Sequence, residues 1–284
     1  MDLAVSFPTE ALGADPVKIK DFVQGAEQIG YTQVQAGEHV IGADPKYRSD
    51  VPYTIDEFTH EPMTLMMFIA AHTQKMLLVP SILILPQRQT ALVAKQAAEI
   101  DLLSGGRLRL GVGIGNHGFE YEALGQDWSA RAKRIEEQMA FLRALWTQRS
   151  VNFEGKWDSV AHAGINPMPI QQPIPLWVGG GSVESALKRI GRTADGWLPT
   201  SKMGEDLRDG IQRFKKYAEE VGHDASKLAI VLRGTAASGT PDDWRKDYAD
   251  KQSMGGTVIT INGGDGTVDE MMKRLKAYKE AVTA

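Results

Sequence analysis

The chain has 284 residues, an ordinary apolar content of 42%, a charged content of 24% and a net charge of −4. Because it has no cysteine, disulfides, thiolate nucleophiles and thiolate metal sites are excluded. No block of like charge indicates a nucleic-acid or anionic-membrane partner, and no window of about 20 apolar residues predicts a transmembrane helix. The first residues lack the basic and long apolar regions of a signal peptide, so we expect a cytoplasmic enzyme.

Short apolar runs alternate with stretches in which apolar residues recur at helical spacing. Asp15 and Pro16 mark the start of the first helix, Gly30 its end, and Pro62 the start of the second. An irregular segment, residues 151–172, is inserted after the fourth helix and contains a small hairpin near 153–157. The apolar runs predict strands over residues 3–7, 31–36, 76–85, 108–112, 174–178, 195–198, 228–232 and 257–261.

Eight strand–helix units follow one another without a linker, a repeat or a low-complexity tract. Eight such units in 284 residues predict an α/β fold, a (β/α)8 TIM barrel that forms a single domain over residues 1–284. An open, doubly wound parallel sheet is the alternative. The even spacing of the units and the lack of an early Gly-x-Gly-x-x-Gly turn favour the barrel.

Barrel enzymes place their chemistry at the C-terminal ends of the strands, so the residues that follow each predicted strand are the candidates. The strongest acid–base candidate is His39, which stands beside Glu38 after the second strand, because histidine is the residue type suited to proton transfer near neutral pH. A histidine that only bonds a neighbouring carbonyl is the alternative. His117 and Glu120 share the loop after the fourth strand, and the sequence leaves their direction open. The six histidines show no metal-ligand spacing, so no metal site is predicted.

Glycine-rich strand ends predict a cofactor site. Gly179, Gly180, Gly181 and Ser182 run directly into a helix, where free backbone N–H groups and the helix dipole bind phosphate. Such a turn can also be purely structural, and Gly263-Gly264 is the rival phosphate site. The other strand-end candidates for cofactor contact are Ser81, Ile82, Gly113, Gly115, Asn116 and Trp197.

Two of these candidates have structural alternatives. Asn116 can bond a ring carbonyl or amide, or it can only complete its turn. Trp197 can stack on a ring, or it can only pack in the core. Arg233 and the pair Thr200-Ser201 also follow predicted strands, and the sequence assigns them no role.

Five segments form a recognisable set. They are Leu-Ser-Gly-Gly-Arg-Leu at 103–108, Gly-Val-Gly-Ile-Gly at 111–115, Pro-Leu-Trp-Val-Gly-Gly-Gly-Ser at 175–182, Ala-Asp-Gly-Trp at 194–197 and Glu-His-Val at 38–40. Together they resemble the bacterial luciferase-like family, and within it the branch that uses the deazaflavin coenzyme F420. The resemblance implies a barrel with an insertion, often dimeric, whose mouth holds the tricyclic ring. It also implies a non-proline cis peptide at Ser81-Ile82 behind the ring and a phosphate cradle formed by residues 179–182.

The chain departs from part of this family after the fourth strand. Some sugar-phosphate dehydrogenases of the family carry a glutamate proton donor just after the strand-four glycines, where this chain has Asn116. Their phosphate-binding lysines are not evident either. We therefore do not expect a sugar phosphate as the substrate.

The resemblance implies an oxidoreductase that transfers a hydride between coenzyme F420 and a small organic substrate. His39 would be its acid–base or ring-orienting residue, supported by Glu38. An FMN-dependent monooxygenase and a non-catalytic flavin-binding protein stay open as alternatives, with a metal-dependent barrel hydrolase more distant. We expect a cytoplasmic homodimer with a small-molecule substrate and with no nucleic-acid or membrane partner.

Overall fold

The strands follow the order that the sequence predicts. The computed structural model describes residues 1–51, 53–200 and 205–283, so Ser201 lies outside the described residues. The strands are β1 (Asp2–Ser6), β2 (Gln33–Ala36), β3 (Leu77–Pro80), β4 (Leu83–Ile84), β5 (Leu110–Gly113), β6 (Val151–Glu154), β7 (Ser159–Ala163), β8 (Leu176–Gly180), β9 (Gly196–Pro199), β10 (Ala229–Thr235) and β11 (Val258–Asn262).

Helices follow most of the strands and cover the outside of the sheet. They are α1 (Thr9–Leu12), α2 (Pro16–Ile29), α3 (Pro62–His72), α4 (Thr90–Ser104), α5 (Gly118–Ala123), α6 (Arg131–Thr147), α7 (Glu184–Thr193), α8 (Glu205–Glu219), α9 (Pro241–Ser253) and α10 (Val268–Thr283). The predicted start of α2 is confirmed, since the Asp15 carboxylate accepts from the Val17 and Lys18 amides and Gly30 ends the helix at φ +99°. No described helix is long and apolar enough to span a membrane.

The sheet closes into a barrel. Nine parallel strands pair in the order β3-β2-β1-β11-β10-β9-β8-β5-β4. Because β3 and β4 are two parts of one stretch of chain, joined by Ser81 and Ile82, the first and last strands of this order meet. A parallel bridge between Leu78 of β3 and Leu108, which lies just before β5, also links the two edges of the sheet. The predicted (β/α)8 barrel is confirmed, and its third strand, predicted as one run, is interrupted.

The predicted insertion is also confirmed. After α6, β6 and β7 form a two-stranded antiparallel hairpin that is separate from the barrel sheet. The hairpin lies within residues 151–172, and its turn falls where residues 153–157 predict one.

The inside of the barrel changes from apolar to polar along the strands. Because successive strand residues face opposite sides, one set packs against the helices and the other points into the barrel. Six strands each give one residue to the apolar interior cluster of Ala4, Val79, Trp177, Leu198, Val231 and Val258. Two positions further along β10 and β11, the inward residues are Arg233 and Thr260, which are register partners. The polar positions therefore lie at the C-terminal mouth.

Candidate active site

The C-terminal ends of the strands surround an open cavity of about 720 Å³. Cofactor and ligand sites usually have volumes of roughly 300–1,000 Å³. Most residues predicted from the sequence line this cavity: Glu38, His39, Ser81, Ile82, Gly113, Gly115, Asn116, Gly179, Gly180 and Gly181. The barrel thus brings the ends of β2, β3, β5 and β8 together, although they are far apart in the chain.

One wall of the cavity is made of glycines. A Cβ atom on Gly113 would lie 2.7 Å from Ile82 Cδ1, and one on Gly179 would lie 2.8 Å from Ile82 Cγ2. Gly115 has a φ of +63°, a left-handed conformation that glycine adopts without steric cost. A side chain at Gly113 or Gly179 would therefore clash with Ile82, and the two glycines let Ile82 pack directly against their backbone.

The third strand is interrupted where the resemblance implies. The Ser81–Ile82 peptide bond is cis, which confirms the implied bond. The Ser81 amide donates to the Ala36 carbonyl at 2.6 Å, and Leu83 and Ile84 then pair with β5. Ser81 and Ile82 both line the cavity.

The segment before α7 presents backbone and open space to the cavity. The nearest atom to a Cβ on Gly181 would be Thr200 Oγ1, at 3.7 Å, so this position has room for a side chain. A Cβ on Gly180 would instead lie 2.8 Å from Ile190 Cδ1 of α7. A side chain at position 180 would press on the helix, and position 181 is the better place to test the cradle.

Two charged groups near the start of α7 affect how an anion would bind there. Arg189 lines the cavity, and its Nε is buried without a hydrogen-bond partner among the described residues, while its Nη1 lies 3.9 Å from Glu136 Oε1, a long ion pair. Glu184, in the first turn, has the wrong sign, but its carboxylate is bound by Arg213 at 2.6 Å and by the Tyr217 hydroxyl. The α7 amides and Arg189 therefore fit a phosphate group. Sequence reasoning missed Arg189, and the available signal was a basic residue in the second turn after the glycines.

His39 is held in place by three contacts. Its Nδ1 lies 3.4 Å from Glu120 Oε2, and its ring stacks on Tyr53 with ring centroids 3.9 Å apart. The Thr59 hydroxyl donates to the His39 carbonyl at 3.1 Å. A carboxylate at Nδ1 favours the tautomer that carries the proton on Nδ1 and leaves Nε2 as an acceptor. Because Nε2 has no hydrogen-bond partner in the part of the chain that the structure describes, it is free to contact a substrate.

Glu120 is the carboxylate that sets this arrangement. Its side chain is fully buried, and its Oε1 accepts from the Val40 amide at 2.9 Å. Burial alone would raise the pKa of the Glu120 carboxyl, but the hydrogen bonds from His39 and Val40 and the nearby imidazoles hold that pKa below its usual value. Burial and the charge of His39 lower the pKa of His117. The structure thus answers the question that the sequence left open, since Glu120 points toward His39.

Both carboxylate oxygens of Glu38, predicted to support His39, bind other groups. Glu38 Oε2 accepts from the Ile84 amide and Oε1 from the Arg88 guanidinium. Burial raises the pKa of the Glu38 carboxyl, against the lowering effect of Arg88 and the Ile84 amide. Glu38 therefore fixes the chain just after the interrupted strand, and the carboxylate that contacts the His39 ring is that of Glu120.

Two further cofactor candidates do not line the cavity. Trp197 is completely buried, its indole N–H donates to the Gly180 carbonyl at 3.0 Å, and its ring packs against Phe214. It supports the glycine segment from behind, because on β9 it is the neighbouring Leu198 that faces inward. Ser182 lies beside the cavity, and its carbonyl accepts from Arg213 at 3.3 Å.

The rival phosphate site is also disfavoured. The Gly264 amide, which an anion would need, already donates to Asn262 Oδ1 at 2.8 Å. Among residues 1–51, 53–200 and 205–283, no three histidine, aspartate or glutamate side chains are grouped closely enough to hold a metal ion.

Three relatives are similar in sequence to this chain. An uncharacterized protein of Mycobacterium tuberculosis is 34% identical over 210 residues, 70% of each chain. The F420-dependent glucose-6-phosphate dehydrogenase of Amycolatopsis mediterranei is 29% identical over 77% of this chain and 66% of its own length. The FMNH2-dependent dimethylsulfone monooxygenase of Pseudomonas putida is 30% identical over 60% of this chain and 47% of its own.

Solved structures share the fold along the whole chain. A monooxygenase from Streptomyces bottropensis superimposes with a TM-score of 0.83 at 17% identity, covering 99% of this chain and 98% of its own. An F420-dependent secondary alcohol dehydrogenase in complex with an F420–acetone adduct gives a TM-score of 0.82 at 17% identity, covering 100% and 99%. The model of the luciferase-like monooxygenase family matches residues 1–283. This chain therefore belongs to the luciferase-like monooxygenase family.

Proposed function

We propose that this protein is an F420-dependent oxidoreductase that transfers a hydride between the deazaflavin and a small organic substrate. The observation that carries the proposal is His39, with Glu120 at its Nδ1 and its Nε2 unpaired, at the edge of a cavity walled by glycines. Hydride transfer to or from a carbon–oxygen bond requires a proton to join or leave the oxygen. His39 is the group best suited to exchange that proton.

The residues around the cavity fit a phosphate-bearing tricyclic cofactor. Gly113 and Gly179 carry no side chain, so Ile82 packs directly against their backbone at the cavity wall, which suits a flat ring. The amides at the start of α7, with the unpaired Nε of Arg189, suit the phosphate. Asn116, exposed at the rim, suits a polar edge of the ring.

The chain's own residues then divide the work of the reaction. When bound, F420 supplies the hydride donor or acceptor at its C5. For oxidation of an alcohol, Nε2 of His39 accepts the hydroxyl proton while the carbon gives up its hydride, and the alcohol becomes a carbonyl. Glu120 holds the imidazole in the accepting tautomer and stabilises its protonated form. In the reverse direction, protonated His39 returns the proton to the oxygen.

The choice of F420 rests on the sequence motifs and on the reach of the F420-dependent relative. That relative matches 77% of this chain, and the FMNH2-dependent one matches 60%. The second relative makes FMN-dependent monooxygenation the competing function. In that case FMN and oxygen would replace the deazaflavin, with the same cavity and the same phosphate contacts.

A fluorescence titration with F420 and FMN side by side tests the cofactor. We expect F420 to bind at least tenfold more tightly, a difference of about 1.4 kcal/mol. FMN binding tenfold or more tightly would show that the cofactor proposal is wrong. Anaerobic mixing of the F420-bound protein with alcohols then tests turnover by the loss of deazaflavin absorbance. Tight F420 binding with no absorbance change for any donor or acceptor would favour the non-catalytic flavin-binding alternative.

A further inference from the structure

A second cavity of about 460 Å³ adjoins the first, on the side of the barrel formed by β1, β2, β10 and β11. Gly37, Ser81 and Arg233 line both cavities, so a molecule in the second one would lie next to the proposed cofactor. The second cavity is lined by Ser6, Gln35, Gly37, Ser81, Arg233, Gly234, Thr235, Thr260 and Asn262. Polar side chains predominate among them, and none is a carboxylate.

Two buried groups in this cavity have no partner. Gln35 is 6% exposed and Thr260 is 7% exposed. Neither Gln35 Nε2 nor Thr260 Oγ1 has a hydrogen-bond partner within the described chain. An unpaired buried polar group is destabilising, so such groups call for a ligand or water that pairs with them. Both can donate a hydrogen bond to an oxygen atom in the cavity.

Arg233 supplies a positive charge at the same place. It is the register partner of Thr260 across β10 and β11, and its guanidinium makes no ion pair or hydrogen bond with any described residue. Two aspartates lie near its outer side, but Asp243 accepts from the Thr240 amide and hydroxyl, and Asp247 pairs with Lys251. The charge of Arg233 therefore has no dedicated counter-ion in the described protein.

We propose that this cavity binds the carboxylate of a small organic acid, with Arg233 as its counter-ion and with Gln35 and Thr260 as hydrogen-bond donors. The proposal rests on the proposed function, because it makes that acid the substrate of the hydride transfer. A guanidinium matches the two oxygens of a carboxylate. The one cation and 460 Å³ of this cavity suit a small monoanion better than a phosphate dianion, which proteins usually hold with several cations.

Binding of simple acids to the protein, measured by calorimetry, tests the proposal. The probes are lactate and benzoate, each paired with its neutral amide, and inorganic phosphate. We expect both acids to bind at least tenfold more tightly than their amides and more tightly than phosphate. Arg233→Gln should weaken acid binding at least tenfold, and Gln35→Leu and Thr260→Val should each weaken it severalfold. Arg245→Gln changes an exposed arginine that pairs with Asp242 away from the cavity, and it should bind the acids as the native protein does.

The outcomes separate this proposal from the cofactor proposal. Equal binding of acids and amides, preference for phosphate, or native acid binding in Arg233→Gln would overturn the carboxylate site. If Arg233→Gln does not fold, Gln35→Leu and Thr260→Val decide, since native acid binding in both would overturn it as well. Competition between F420 and the acids would assign Arg233 to the cofactor and also overturn it. A protein that binds acids as expected but prefers FMN would leave the carboxylate site standing and overturn F420 alone.

Discussion

The two sides of the barrel mouth are built in opposite ways. The glycine side, which we define as Gly113, Gly115, Gly179 and Gly181, has no side chains of its own. The backbone of Gly113 and Gly179 faces Ile82, and that of Gly115 faces Ile84. On the polar side, which we define as Ser6, Gln35, Arg233 and Thr260, the chain supplies side chains, two of which have buried unpaired groups. A flat ring needs space, whereas a small substrate needs partners for its polar atoms. The difference therefore fits the two proposals, with the cofactor on the glycine side and the substrate on the polar side.

The largest effect on turnover is expected at His39, which we propose exchanges a proton with the substrate and which is not part of the glycine side. His39→Ala should lower kcat by about 10²–10⁴-fold, because a positioned acid–base group contributes roughly that much. Cofactor affinity should stay near native, since the glycines and the start of α7 are unchanged. Steady-state turnover and a fluorescence titration of the same preparation measure the two quantities.

A matched histidine variant controls for loss of the ring alone. His72→Ala removes an imidazole that contacts Phe68 on α3, away from the cavity, and it should keep native turnover. If His39→Ala instead loses cofactor affinity and keeps its turnover at saturation, His39 orients the ring and does not transfer a proton. Native values for both quantities would remove His39 from the site.

The barrel and the glycine side can be predicted from the sequence, because both depend on local patterns. Strand–helix alternation identifies the fold, and glycines that follow strands identify open backbone. The roles of Glu38 and His39 were not predictable in the same way. They lie beyond the end of β2, where strand alternation no longer applies, and their partners are 50 residues away at Arg88 and 81 residues away at Glu120.

Strand alternation is sufficient to predict the inward residues of the polar side, although the strand ends alone assign Arg233 no role. Arg233 follows Val231 by two positions on β10, and Thr260 follows Val258 by two on β11, so alternation alone puts them inside the barrel. The same rule, applied to Leu198, places Trp197 on the outer face. Local sequence patterns do not predict how the sheet closes, and it is this closure that brings β10 and β11 close to β2.

The next effect tests the glycine side by adding a charge. Gly181→Asp should weaken F420 binding about 10- to 100-fold, because its carboxylate would face the phosphate at the start of α7. Gly181→Asn adds a side chain of nearly the same size without the charge, and it should cost only a few-fold. A fluorescence titration of both variants measures the effect.

Equal losses in Gly181→Asp and Gly181→Asn would mean that bulk and not charge is responsible, so the phosphate lies elsewhere. Acid binding at the polar side should not change in either variant. If it does, the two sides of the mouth are not independent.

A smaller effect is expected from Glu120→Gln, which keeps the shape of the side chain. The amide no longer favours the proton on His39 Nδ1, so kcat/KM should fall about tenfold, or about 1.4 kcal/mol, with a shifted pH profile. A pH profile that keeps its native shape would show that Glu120 serves packing only.

Stability gives a second measurement on Glu120. Folding lowers the pKa of its carboxyl, so ionised Glu120 stabilises the fold above the ordinary glutamate pKa of about 4.3 and loses this contribution as pH falls through its lower folded pKa. The difference in unfolding free energy between the native protein and Glu120→Gln should therefore shrink as the solution is acidified below that range. Denaturant unfolding at a series of pH values measures it, and a difference that is constant with pH would contradict the assignment.

The smallest effect compares one asparagine on each side of the mouth. Asn116 lies at the rim of the first cavity, beside Gly115, and Asn262 lines the second. Asn116→Ala should weaken F420 binding about 3- to 10-fold, because one hydrogen bond contributes roughly 0.5–1.5 kcal/mol, and it should leave acid binding native. Asn262→Ala should leave F420 binding native, although it removes the acceptor of the Gly264 amide. Titration of both variants with F420 and with lactate gives four affinities. If Asn262→Ala loses as much F420 affinity as Asn116→Ala does, the mouth is not divided into a cofactor side and a substrate side.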